Sequence, residues 1–233
     1  MRTISIFLSF AVATVILFSA CSGNSSTKAA NVVESEVINF EKQEVIQLDK
    51  PNLSRDFSLM KALSERQSVR EYSSKGLTRA DLSDLLWAAN GINRPDSGKR
   101  TAASAMNSQD IDIYVCTPNG AFLYDAKAHV LNPVTSENVI PSVAASQDYV
   151  NAAPVCLVLV SDMARFGDRA GDRAKYTAAM DAGVVSQNIG LFCTAAGLST
   201  VPRAFMDVEA LKVGLKLSEK QLPIMNHPVG YKK

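Results

Sequence analysis

The residues best suited to chemistry in this 233-residue chain lie in one short run, Arg66-Gln67-Ser68-Val69-Arg70. Arg66, Ser68 and Arg70 alternate, so an extended backbone turns all three to one side, where two guanidinium forks and a hydroxyl form a row of donors for an anion. A helical backbone also brings Arg66 and Arg70 together, because residues four apart share a face. Glu65 and Glu71 fall on the other parity. A solvated charged turn is the alternative reading of so short a run, and these residues by themselves leave both open.

The elements that must position this row follow from periodicity and punctuation. Phe57, Met60, Ala62 and Leu63 recur at near-helical spacing and deliver the chain to Arg66 just past a helix end. Thr78 and Asp81 have the form of a capping box before Leu82, Leu85, Leu86 and Ala89, with Asn90-Gly91 as the stop. Trp87 beside that apolar stripe reads either as core or as an aromatic facing a ligand. Ile111, Ile113 and Val115 alternate as a strand, Pro118-Asn119-Gly120 turns it into a hairpin with Ala121–Tyr124, and residues 154–160 are apolar on both parities, as in a buried strand. His129 follows among neighbours that suit packing better than catalysis, and residues 165–175 read as an exposed loop or frayed helix start. Residues 177–196 are apolar on nearly all faces, predicting a helix buried in a core or subunit interface, with Gln187 and Asn188 as amides needing partners. Gly197 ends it. Residues 207–215 form a short helix, and His227, between Asn226 and Pro228, reads as a turn residue.

Four stretches together carry a resemblance. The run Leu59–Tyr72 resembles the entry of the nitroreductase family of flavin enzymes, whose usual form is R-R-S-x-R followed by an aromatic; here Gln67 replaces the second Arg. Arg100–Gln109, with Ser104 and Asn107, resembles the family's flavin loop; Gly197–Ala204, with Pro202-Arg203-Ala204, resembles its flavin-ring loop; Pro228-Val229-Gly230-Tyr231 resembles its last strand, although the usual following Pro is absent. Their order is the family's, which makes the set more specific than any member. The resemblance extends to the branch containing SagB-type dehydrogenases.

What the resemblance implies is an α+β fold, an antiparallel-rich sheet flanked by helices, in an intertwined homodimer that binds FMN. It assigns cofactor contacts to Arg66, Gln67, Ser68, Arg70, Ser104, Asn107, Pro202, Arg203 and Ala204. Arg66 is expected to face the phosphate, Arg70 the flavin edge, and Ser104 and Asn107 to come from the other subunit. The backbone of Arg203 and Ala204 is expected near flavin N5, leaving the Arg203 side chain to tune substrate choice. Gln147, Lys232 and Lys233 are further positions that could approach the cofactor. The implied activity is two-electron transfer between a donor such as NAD(P)H and a small organic acceptor, a nitroaromatic, quinone or related ring. A SagB-like ring dehydrogenase and a lipid-anchored, non-enzymatic flavin or ligand carrier are the alternatives.

At the start of the chain, Arg2, an apolar run from Ile4 to Phe18 and Ser19-Ala20-Cys21 form a secretory signal too short to span a bilayer comfortably. Cys21 sits as in a bacterial lipobox, which predicts an exported protein of the cell envelope attached to a membrane by lipid at Cys21. The expected organisation is a signal peptide over 1–20, a tether and short arm over 21–50, and one FMN-binding domain over 51–233. A hydrophobic content of 47% and a formal net charge of +1 describe a globular protein with no nucleic-acid footprint. Apart from Cys21 the cysteines are Cys116, Cys156 and Cys193, an odd and widely spaced set that suits buried thiols; with only His129 and His227 there is no histidine cluster for a metal. No G-x-G-x-x-G or P-loop occurs, so neither a Rossmann domain nor a nucleoside-triphosphate site is indicated.

Overall fold

The structure, a computed structural model, describes residues 36–233. The leader, Cys21 and the tether up to residue 35 lie outside the described residues. Among the described residues no helix is long and apolar enough to cross a membrane. In chain order the elements are β1 (Ile46–Gln47), α1 (Leu59–Glu65), α2 (Arg79–Asn90), β2 (Ile92–Arg94), β3 (Lys99–Arg100), β4 (Ile111–Thr117), β5 (Gly120–Asp125), β6 (Val130–Thr135), α3 (Ile140–Ala144), β7 (Val155–Asp162), α4 (Ala174–Ala195), β8 (Leu198–Thr200), α5 (Val208–Gly214) and β9 (Gln221–Tyr231).

Seven strands make one antiparallel sheet in the order β1-β6-β5-β4-β7-β9-β8. Its two faces carry separate cores, and the two-residue period of the strands assigns side chains to each. Ile111, Ile113 and Val115 of β4 face α2 and α4 with Leu157 and Leu159 of β7. Tyr114, Cys116, Cys156, Val158 and Val160 face the other way, onto Val143 of α3 and Leu211 of α5. This is why β7 is apolar on both parities.

Local chemistry sets the helix ends. Thr78 caps α2 by accepting the Asp81 N–H at 3.1 Å, while the Asp81 carboxylate turns to Arg55 and the Tyr231 hydroxyl, tying the last strand to the helix start. Burial lifts the Asp81 carboxyl, but hydrogen bonds from Tyr231, Thr78 and Arg55 outweigh it and hold the group below its ordinary value. Gly91 ends α2 with an extended backbone, at φ −75°, so the left-handed stop is not what it supplies. It is needed for space: a Cβ there would lie 2.5 Å from Trp87.

Four elements add to or depart from the sequence reading. The arm before residue 50 is packed: Ile38 and Phe40 are buried in the main core, and β1 pairs with β6. Strand β6 was not foreseen, because Pro133 interrupts its pattern; that proline is exposed where the β5–β6 register shifts. Helix α4 is buried in the core on one side, as expected, through Ala178, Ala182, Val185, Ile189 and Cys193, while Tyr176, Met180 and Val184 are exposed in the single chain. His227 stands inside β9, fully buried, where a turn had been expected.

Candidate flavin site

The Arg66 row is extended, one of the two conformations its spacing allows, and lies along the open edge of the sheet. Ser58 caps α1 by accepting the Lys61 N–H at 3.3 Å, and the helix ends at Glu65. Beyond it the Val69 N–H donates to Thr200 O at 2.9 Å and the Ser73 N–H to Tyr231 O at 2.9 Å, so the segment runs beside β8 and the end of β9. With Val69 turned to the sheet, Arg66, Gln67, Ser68 and Arg70 are all exposed. Tyr72 is buried and donates to Val69 O at 3.3 Å, and burial pushes its phenol far up. A side chain at Gly230 would meet Pro154 at 2.8 Å and Tyr72 at 3.3 Å, which explains why the last strand needs glycine where the row crosses it.

The Pro202–Ala204 loop leaves β8 at the same edge, so the structure brings these two predicted segments together. Arg203 bridges to β9: its N–H donates to Asn226 O at 2.9 Å and its carbonyl accepts from Asn226 N at 2.7 Å. Its N–H is therefore taken, whereas the Ala204 N–H has no partner among the described residues. The Arg203 side chain, expected to face substrate, is instead buried at 6% exposure. It donates to Val143 O at 3.0 Å, Ala144 O at 3.2 Å, Gln147 Oε1 at 2.9 Å and Asn226 Oδ1 at 2.6 Å. These are the last carbonyls of α3 and two side-chain amides, all neutral. Tyr149, not singled out in the sequence, lies between two guanidinium groups: Arg70 is 5.9 Å and Arg203 5.7 Å from its ring centroid. Gln147 thus belongs to this cluster through Arg203 and through the Tyr149 hydroxyl, at 3.0 Å.

Ser104 and Asn107 lie elsewhere. Ser104 Oγ accepts the Gln109 N–H at 2.9 Å, and Met106, Asn107 and Gln109 hold left-handed backbone at φ 55°, 52° and 50°. This loop docks where Ile111 of β4 pairs with Ser161 of β7, whereas Thr200 lies level with Val229 and Val155, at the other end of β7. Six residues of strand separate those ends, about 20 Å. One chain therefore does not bring Ser104 and Asn107 to the Arg66 row.

The histidine, tryptophan and cysteines singled out in the sequence are held by packing and hydrogen bonds away from the row. His129 shares hydrogen bonds with the Tyr124 hydroxyl and Asp49 O, both at 2.9 Å. The half-buried Trp87 donates to Ile92 O at 3.1 Å and lines a groove with Leu48 and His129 on the β1 side of the sheet. Cys116 and Cys156 stand opposite each other in β4 and β7, and burial raises both thiols and that of Cys193. Lys232 and Lys233 follow Tyr231 and are exposed. Asp181 was missed altogether, although it is the only charged residue between Tyr176 and Ala195, a signal visible against so apolar a helix.

The geometry is an antiparallel α+β fold with an arginine row on its sheet edge, beside a loop whose Ala204 N–H has no partner among the described residues. The sequence profile of the family described as "Nitroreductase family" matches residues 63–231. A Methanocaldococcus jannaschii protein described as a nitroreductase is 32% identical over 187 residues, covering 76% of this chain and 92% of that one. A crystal structure of a protein so described from Ralstonia eutropha superposes with a TM-score of 0.78 at 32% identity, over 84% of this chain and 93% of that one. A chain of the E. coli microcin synthetase McbBCD complex shares the fold alone, with a TM-score of 0.66 at 16% identity over 94% of this chain and 85% of that one. The chain belongs to the nitroreductase family and is an oxidoreductase of that fold.

Proposed function

We propose that the protein is an FMN-dependent oxidoreductase that passes two electrons between a donor such as NAD(P)H and a small organic acceptor, a nitroaromatic, quinone or related ring. The observation that carries this reading is the meeting of the Arg66–Arg70 row with the Pro202–Ala204 loop at one sheet edge. Neither Arg66 nor Arg70 makes an ion pair among the described residues, so two guanidinium groups and the Ser68 hydroxyl stand as donors suited to a phosphate. FMN, when bound, supplies the centre that accepts and returns a hydride. Arg66 and Ser68 hold the phosphate, Gln67 lends an amide where a second guanidinium would grip harder, and Arg70 is steadied by the Tyr149 ring. The Ala204 N–H donates at the reacting edge, and a main-chain donor there removes the need for a side-chain acid.

The proposal includes a homodimer. Ser104 and Asn107 are about 20 Å from the row in one chain, so a site that uses both takes them from a second copy. The exposed Tyr176, Met180 and Val184 on α4, beside Leu59, Met60 and Leu63 on α1, offer an apolar surface for it. Export with lipid attachment at Cys21 is part of the same reading and requires a reductant outside the cytoplasm. The fold likeness to the microcin synthetase chain, solved with a truncated pro-peptide bound in its complex, favours a second reading: a SagB-like dehydrogenase running flavin chemistry in the oxidising direction on a ring. A non-enzymatic, lipid-anchored flavin or ligand carrier would be yellow and never turn over in a donor and acceptor panel.

The test is a soluble form beginning near Ala29. It is expected to be yellow, to release FMN on denaturation, and to lose at least tenfold in FMN affinity on Arg66→Ala, about 1.4 kcal/mol. Colourless protein that FMN does not reconstitute overturns the cofactor, and an unchanged affinity overturns the phosphate role of Arg66.

A further inference from the structure

Trp87 is the one aromatic residue of α2, and its place differs from that of the stripe beside it. Leu82, Leu85, Leu86 and Ala89 are fully buried. Trp87, about 100° further round the helix than Leu86, is only half-buried and lines a groove of about 620 Å³ with Leu48, Pro51, Ile92, His129 and two lysines, Lys50 and Lys127. That volume is within the usual range of small-molecule sites.

The walls of the groove are fixed before anything binds. The Trp87 indole N–H donates to Ile92 O at 3.1 Å, which sets the plane of the ring. The Leu48–Pro51 wall is tied to β6 and α2: the Leu48 N–H donates to His129 O at 3.3 Å, the Asp49 N–H to Ser83 Oγ at 2.9 Å and the Asn52 N–H to Asp84 Oδ1 at 2.8 Å. His129 is held at both ring nitrogens. A carbonyl only accepts, so Nε2 donates to Asp49 O and Nδ1 accepts from the Tyr124 hydroxyl, both at 2.9 Å, which is the neutral ring. Two ordered rings on an apolar floor lose little freedom when a ligand settles on them.

Charge decides what kind of ligand. Every charged side chain lining the groove is a lysine. Lys50 and Lys127 are exposed, and neither makes an ion pair among the described residues. The acids nearby are spent or turned elsewhere. Asp125 accepts the Lys127 and Ala128 N–H groups at 2.8 and 3.0 Å, Asp84 pairs with Arg55, and Asp49 does not line the groove.

We propose that this groove is a binding site for a planar aromatic carboxylate, its ring against Trp87 and its acid group between Lys50 and Lys127. In one chain the site is separate from the Arg66 row. The groove lies at the β1 edge and the row at the β8 edge of the seven-stranded sheet, six strand spacings apart, roughly 29 Å. The groove therefore takes its ligand whether or not FMN is bound.

Trp87 is the only tryptophan of the chain, so its indole N–H signal in a nitrogen-15 NMR spectrum reports on this groove alone. The protein is titrated with 2-naphthoate, with its neutral counterpart 2-naphthamide, and with the ring-saturated acid cyclohexanecarboxylate. The naphthoate is expected to move the Trp87 signal to saturation with a Kd at or below about 1 mM. The amide is expected to bind about tenfold more weakly, and added salt to weaken the naphthoate but not the amide. Lys50→Gln with Lys127→Gln, two changes at exposed positions that keep the far-ultraviolet circular dichroism of the parent, should bring the naphthoate down to the level of the amide. A Trp87 signal unmoved by about 10 mM naphthoate overturns the site, and so does a flavin absorbance change on titration with Trp87 unmoved. Equal affinities for acid and amide, or a double variant that binds naphthoate as the parent does, overturn the role of the lysines. Cyclohexanecarboxylate binding as tightly as naphthoate overturns the role of the ring. An acidic peptide without aromatic residues that moves Trp87 at far lower concentration overturns the small-ligand assignment in favour of a docking groove for protein.

Discussion

Arg203 and Asn226 are joined by three hydrogen bonds, two between their backbones at 2.9 and 2.7 Å and one from Arg203 Nη1 to Asn226 Oδ1 at 2.6 Å. The guanidinium spends its other donors on the end of α3 and on Gln147. This one buried cation thus pins the Pro202–Ala204 loop to the sheet on one side and to a helix on the other.

Arg203→Ala is accordingly expected to act on stability before it acts on substrate choice. It leaves two carbonyls and two amide oxygens without their donor, which costs about 3 kcal/mol or more. Urea unfolding measures the loss. Arg203→Lys should recover little of it, because one ammonium cannot span acceptors arranged around a planar fork. A variant as stable as the parent, with altered substrate preference only, would return the side chain to the substrate.

The pH dependence of stability carries the mark of His227. It is fully buried, sharing hydrogen bonds with Ser186 Oγ at 2.7 Å and Thr200 Oγ1 at 3.2 Å, and burial lowers its pKa from 6.5 to about 3. The folded state therefore refuses a proton that the unfolded chain accepts, so this contribution is whole above about 6.5 and is lost as pH falls toward 3. Between about pH 6.5 and pH 5 the loss approaches 2 kcal/mol. His227→Gln, less stable at neutral pH, should lack that part of the slope. The raised carboxyl of Asp181 works with the opposite sign, and subtracting the variant's curve removes it. Parallel curves for the two proteins would contradict the assignment.

The sheet was legible where side chains alternate without interruption. Ile111, Ile113 and Val115 declare β4, and the two-sided apolar run of β7 reports a core on each face. Pro133 hid β6 because a proline argues against a strand, and the chain meets that objection by keeping it exposed at a register shift. At the site, ordered motifs located the Arg66 row and the Pro202–Ala204 loop, yet they carry no information on which way a side chain turns. Arg203 reads as a surface residue until α3 folds over it. Asp181 lies far in sequence from the loop it touches, and only the packing of α4 shows that its carboxylate accepts the Ala105 N–H.

The proposed dimer surface can be tested without the cofactor. Met180 and Val184 are exposed on successive turns of α4, at 47% and 40%. Burying a charge at an apolar interface costs several kcal/mol, while the same charge on an open surface costs little. Met180→Glu with Val184→Glu should convert a two-chain particle into a folded single chain by sedimentation, with unchanged far-ultraviolet circular dichroism. Its FMN affinity should fall as well, because Ser104 and Asn107 leave with the partner. A double variant that sediments as the parent does would place the contact elsewhere.

The last expectation concerns the backbone donor. With the Arg203 N–H given to Asn226, Ala204 is the residue of this loop whose N–H remains for the reacting edge of a bound flavin. Ala204→Pro deletes that N–H and biases Arg203 toward extended backbone, the conformation its bridge to Asn226 already has, so the latch on β9 should survive. The substitution therefore separates donor from scaffold, which Arg203→Ala cannot do. Loss of a single donor aimed at developing charge costs roughly two to three powers of ten in rate. Stopped-flow reduction by a hydride donor, on protein of matched FMN loading and stability, should show Ala204→Pro slowed on that scale and Ala204→Ser near the parent. If Ala204→Pro is reduced as fast as the parent, the backbone of this loop does not carry the step.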